Sequence, residues 1–132
     1  MKALAAALCL TALPCAAHDS HSPFDAPGVI WRLIELDGKP FRSKAVLEFP
    51  EVGTITGECP CNRFRGEMWS AYPWFDPGPL AATRRACPDL ADETRFFAAL
   101  ERMTLAEADH ELLILTDDEG GAMVFTRAAS GE

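Results

Sequence analysis

The sequence predicts a mainly β domain of the α+β class: a small, curved, barrel-like antiparallel sheet packed with one α-helix. Three observations predict it. Short apolar or alternating runs recur between turn residues from Val29 onward. Only one stretch, near 89–103, carries apolar residues at helical spacing. The 9 Gly and 10 Pro among 132 residues supply the close turns that join short antiparallel strands. A strongly curved sheet of this kind removes its exposed edges as it nears closure.

The N-terminus belongs to no fold element. Met1 and Lys2 open the chain, followed by the apolar run ALAAALCLTAL, Pro14, Cys15, Ala16, Ala17 and then the polar HDSH. An apolar run of that length cannot span a bilayer as a helix. The charged start, short apolar run and small residues predict a signal peptide over 1–17, cleaved after Ala17. A lipidated Cys15 is the alternative. Leu13 and Pro14 stand against it, because small residues are expected there and a proline hinders cleavage. The stretch 18–28 (HDSHSPFDAPG) reads as a flexible leader, and 29–127 as the domain.

Within the domain, 29–36 (VIWRLIEL) reads as a strand with Trp31, Leu33 and Glu35 on one face and Ile30, Arg32, Ile34 and Leu36 on the other. Asp37-Gly38 is a turn pair. The stretches 45–49 (AVLEF) and 53–57 (GTITG) follow as strands, with Ala45, Leu47 and Phe49 facing one way. The middle, 58–80, reads as irregular, with prolines and the aromatics Trp69, Tyr72, Trp74 and Phe75. Asp89 and Asp92 place acids where a helix start favours them. Leu90, Phe97 and Leu100, with Phe96 and Met103 beside them, form the helix stripe. Strands at 104–108, 112–115 and 122–127 close the chain around the turn DDEGG. The apolar faces of Leu33, Leu47, Ile114 and Phe125 are expected to meet Phe97 and Leu100.

Charge excludes some partners. Past Ala17 lie all 20 Asp and Glu and 11 of the 12 Lys and Arg, a formal charge of −9. Such a chain repels phosphate backbones, so nucleic acid is not an expected partner. No later segment approaches the ~20 apolar residues of a membrane helix. The expected product is a periplasmic or secreted monomer.

The order and spacing of several residues resemble the META domain family, which includes HslJ-type heat-shock proteins. The pattern runs from Trp31-Arg32-Leu33 and Gly38 to Gly57 with Cys61-Asn62-Arg63-Phe64 and Gly66. It continues through Thr83-Arg84-Arg85-Ala86-Cys87, then Glu93, Phe97 and Leu100, and ends on Leu113, Leu115, Asp117, Gly120 or Gly121, and Phe125. The resemblance implies a small antiparallel barrel-like fold with one helix and an exported protein linked to envelope or stress physiology; it implies no known catalytic site, because the family has no established reaction. This chain departs from the pattern at Pro60, where the family more often has glycine, at the extra Cys59, and at Arg85 in place of methionine.

Three cysteines lie beyond Ala17, and disulfides persist in an oxidising compartment. Cys61–Cys87 matches the family positions, and Cys59–Cys87 is its close competitor. Cys59–Cys61 closes a tight ring across Pro60 and defines a rival function, thiol–disulfide exchange with Arg63 and Arg65 as nearby cations. Asn62, Arg63 and Arg84 are the polar site candidates. Asn62 reads as a turn builder, and the arginines as partners of internal acids or clamps for a carboxylate ligand. His18 and His21 are metal candidates and define a third reading. No catalytic residue and no cofactor is assigned. The leading expectation is a non-enzymatic exported module that binds an envelope protein or small ligand.

Overall fold

The structure is a computed structural model that describes residue 12 and residues 22–128. The expected signal peptide, Cys15, His18 and His21 lie outside the described residues. Nine strands form one antiparallel sheet: β1 (Ile30–Leu36), β2 (Lys39–Pro40), β3 (Val46–Glu48), β4 (Thr54–Glu58), β5 (Arg63–Glu67), β6 (Ala81–Ala82), β7 (Leu105–Ala108), β8 (Leu112–Thr116) and β9 (Ala122–Ala128). One helix, α1 (Leu90–Arg102), packs on it. The strand order is β6-β5-β4-β3-β1-β9-β8-β7, with β2 paired to β1. The sheet curves but does not close, and the chain is mainly β with a single helix among the described residues.

Local chemistry explains most of these elements. Asp37 and Gly38 both take positive φ, 49° and 80°, in the two-residue turn between Leu36 and Lys39, as a type I′ hairpin requires. Gly57 is fixed for a different reason. A Cβ there would collide with the Val46 carbonyl oxygen and the Phe64 ring. Strand β1 does not alternate as a regular strand would. Its register with β9 slips between Leu33 and Glu35, so a bulge at Ile34 shifts the phase. Leu36 is therefore buried and Glu35 is half-exposed, the reverse of the expected faces.

Other expectations also shift. The stretch 58–67 is not irregular: β4 and β5 form a hairpin whose turn is Cys59 to Asn62. Arg63, Phe64 and Arg65 alternate out, in, out. In β8 the inward residues are Leu113 and Leu115, and Ile114 is half-exposed. The helix turns Phe96, Ala99 and Leu100 into the core, while Phe97 is half-buried and Leu90 is exposed. The expected leader also contributes to the core. Phe24, on a 3-10 turn at Pro23–Asp25, is buried against Phe49, with ring centroids 4.8 Å apart.

The proline-rich segment between β5 and β6 covers one end of the sheet. Phe75 N–H donates to Thr104 O (2.8 Å) and Ala106 N–H to Pro73 O (2.7 Å), with Trp74 bridged to Leu105. The outer edge of β7 is thus paired. Phe75 turns into the core, and Trp69 and Trp74 remain exposed.

Candidate functional site

The family-pattern residues converge where the β4–β5 turn meets the start of α1. Asn62 ends that turn and is buried. Its side chain reaches across to the chain that enters the helix. Oδ1 accepts from Arg85 N–H (2.6 Å) and Thr83 Oγ1 (3.0 Å). Nδ2 donates to Arg85 O (3.0 Å) and to Glu93 Oε2 (2.7 Å). An amide offers two donors and a carbonyl with two lone pairs, so Asn62 is fully engaged. It is more than a turn builder.

Glu93 lies in the first turn of α1, 5% exposed. Its other oxygen accepts Cys61 N–H (3.1 Å). Burial by itself raises the Glu93 carboxyl. The Cys59 thiol, the Asn62 side chain and the N–H groups of Cys61 and Asn62 outweigh burial and hold it below the usual range. The helix N-terminus favours the same charged state. Cys61 and Cys87 are joined at an S–S distance of 2.00 Å, with Cα atoms 5.5 Å apart. The bridge ties the hairpin turn to the residues just before α1.

Cys59 stays outside the bridge. Its Sγ donates to Asn62 O (3.1 Å), and it is buried. Burial, then the neighbouring Glu93 carboxylate, push the thiol up to about 12. A redox nucleophile needs the opposite, an accessible and acidified thiol beside a cation. Arg63 and Arg65 are near in sequence, yet their side chains are 80% and 65% exposed and pair loosely with Glu58 and Glu51 at 3.5 Å. Arg84 is exposed and has no ion-pair partner among the described residues. The structure therefore brings together Asn62, Cys59, Cys61 and Cys87 and leaves Arg63 and Arg84 on the surface.

Two members of the cluster were not among the expected site residues: Glu93 and Thr83. Glu93 had a readable signal. It lies four residues before Phe97 and seven before Leu100, so a charge falls on the helix stripe. Thr83 had none beyond its place in the family pattern. Among the described residues no group of three or more His, Cys, Asp or Glu is placed to hold a metal.

A second polar knot sits at the other end of α1. Arg102 contacts Asp37 (3.2 Å) and Asp117 (3.5 Å). Asp117 Oδ1 caps its own turn through Glu119 and Gly121 N–H. These contacts close turns and pin the helix end.

The chain matches the META domain family over residues 26–130. No curated protein matches it. Among solved structures it resembles a protein from Burkholderia xenovorans determined by NMR, 20% identical, covering 91% of this chain and 99% of that one at a TM-score of 0.61. It also resembles a second protein determined by NMR, at 23% identity, 79% and 93% coverage and a TM-score of 0.60. A third is a DUF4847 family protein from Bacteroides vulgatus, known from a crystal structure, at 12% identity, 78% and 94% coverage and a TM-score of 0.60. At these identities the likeness is one of fold.

Proposed function

The chain belongs to the META domain family, and from that premise we propose that it is an exported, non-catalytic binding or accessory module of the cell envelope. One observation carries the non-catalytic part: the pattern residues satisfy one another. Asn62 uses both ends of its amide, Glu93 uses both oxygens, Cys61 and Cys87 are bridged, and Cys59 is buried with a raised thiol. Nothing in the cluster is left to act on a substrate. The sequence of 1–17 supports export, and a bridged cysteine pair suits an oxidising compartment.

Two measurements test this reading. The chain exported from a bacterial host should have an intact mass starting at His18 or Ala17; a mass with acyl chains on Cys15 would replace the soluble form with a lipoprotein. The exported protein should not accelerate reduction of insulin disulfides by dithiothreitol. Acceleration that disappears in Cys59→Ala would establish the thiol-exchange reading instead.

A further inference from the structure

The two ends of the sheet are treated differently. The β7 edge is paired with the 73–75 segment, whereas β6 has no outer neighbour among the described residues. Thr83 N–H donates to Arg63 O (3.0 Å), which makes Thr83 and Arg63 a hydrogen-bonded pair. By antiparallel alternation the next pair, Ala82 with Phe64, is not bonded, and the Ala82 N–H and C=O turn away from β5. Continuing the alternation past the strand ends gives Leu80 and Arg84 the same outward direction. The backbone groups of Leu80 and Arg84 find no backbone partner among the described residues, and by the alternation those of Ala82 find none on β5. All six residues from 81 to 86 are exposed.

This edge is held rigid from behind. Asn62 grips both the N–H and the C=O of Arg85, Thr83 Oγ1 meets Asn62 and the Arg63 N–H, and the Cys61–Cys87 bridge follows. A strand that adds here would order little of the host, which lowers the cost of binding. Ala81 and Ala82 are small and leave room for a neighbour.

The charge around the edge selects the neighbour. Arg63, Arg65, Arg84 and Arg85 are four of the chain's 12 Lys and Arg, gathered at one edge of a protein whose formal charge is −8. Arg63 and Arg65 share the outer face with Ala81 and Thr83, because paired residues point the same way. Two copies of this edge would set these arginines against each other, which disfavours self-pairing. An acidic strand would meet the guanidinium groups of Arg63, Arg65 and Arg85.

We propose that the β6 edge is a docking site for an extended acidic segment of a partner protein, which adds as a strand with its acidic side chains alternating with apolar ones. The acids face outward toward Arg63, Arg65 and Arg85, and the apolar residues lie over Ala82 and Phe64. This is strand addition, in which main-chain bonds give affinity and alternate side chains give specificity. It rests on the binding-module reading and names that module's surface and partner class.

The probes are two capped heptapeptides, Thr-Glu-Val-Glu-Val-Glu-Thr and its counterpart with Lys for each Glu, titrated into the nitrogen-15-labelled mature chain. The acidic peptide should bind with a Kd of about 1 mM or tighter. It should shift the amides from Leu80 to Arg85, slow hydrogen exchange at Ala82 and Arg84, and weaken with added salt. The lysine peptide should do none of this. Ala82→Pro removes only an outward N–H and should weaken binding at least ~10-fold, about 1.4 kcal/mol, with melting unchanged. Should that variant fail to fold, Arg84→Glu with Arg85→Glu should weaken the acidic peptide at least ~10-fold and abolish its advantage over the lysine peptide. No shift with the acidic peptide, shifts outside 80–85, or equal binding of both peptides would overturn the inference. So would a dimer that Ala82→Pro dissolves, since a second copy would then fill the edge. A chain that ignores both peptides yet captures an envelope partner through another surface fails this inference alone. Catalysed thiol exchange fails the binding-module reading alone.

Discussion

Replacing Asn62 by alanine removes four hydrogen bonds at once. Three link neutral groups and contribute about 1 kcal/mol each; the fourth, to the Glu93 carboxylate, contributes about 2 kcal/mol. The sum of about 5 kcal/mol is an upper figure. Thr83 and Arg85 are exposed, so water replaces part of what they lose. A cost of about 3–5 kcal/mol is expected, which lowers Tm by about 12–20 °C at roughly 4 °C per kcal/mol for a domain of this size. Asn62→Asp has a different signature. It keeps an oxygen for Arg85 and Thr83 but sets a carboxylate against Glu93, where the parent has a 2.7 Å bond. Its deficit should be largest near neutral pH and shrink toward pH 4, where one carboxyl of the pair takes up a proton. Urea unfolding followed by circular dichroism at pH 7 and pH 4 reads both effects. If Asn62→Ala lies within about 1 kcal/mol of the parent, the cluster does not hold the domain together. If the Asn62→Asp deficit is the same at both pH values, the amide does not sit against a charged Glu93.

Four further outcomes follow from the same geometry. Removing the bridge with Cys61→Ala and Cys87→Ala should lower stability by about 3.5 kcal/mol, the chain-entropy value for a separation of 26 residues; urea midpoints of the double variant check it. The Glu93 carboxyl is held below the usual glutamate value of 4.5, so its contribution is fully present above that value and is lost as pH falls through the lower folded value. Glu93→Gln should therefore be less stable than the parent at pH 7, and acid titrations of the two should converge below pH 4.5. In the core, Phe96→Ala should cost about 3–5 kcal/mol because the ring is fully buried against Phe64 and Phe97. Leu90→Ala, at an exposed position, should cost well under 1 kcal/mol, and urea unfolding of both variants checks the pair.

The fold class was legible because period and punctuation agree in most of the chain. Leu47 with Ala45 and Phe49, Asp37-Gly38, and the single helical stripe each announce their element. Phase was harder to read. A bulge at Ile34 depends on pairing with β9, which no local pattern records, so Leu36 and Glu35 exchanged faces. Leu112, Leu113, Ile114 and Leu115 are all apolar, so nothing in the run marks which pair points inward. Leu90 matches the helical spacing and draws the expected stripe slightly off axis; the buried line runs through Glu93, Phe96 and Leu100. Phe24 was hidden by the prolines around it, and β5 by the cysteines before it, although Arg63-Phe64-Arg65 alternates plainly. At the site, the converging segments were visible as family pattern. The partners of Asn62 were not, because Arg85 contributes backbone groups that carry no sequence signal.

Thiol counting with Ellman's reagent on the chain from His18 onward tests most directly whether the pattern residues form a sealed cluster. That chain holds Cys59, Cys61 and Cys87. Without reductant, the native protein at pH 8 should show no rapidly reacting thiol, and the protein unfolded in denaturant should show one. Three thiols in denaturant would mean no bridge. One thiol reacting at once in the native state would mean an accessible, reactive cysteine, and the cluster would be a site for chemistry after all.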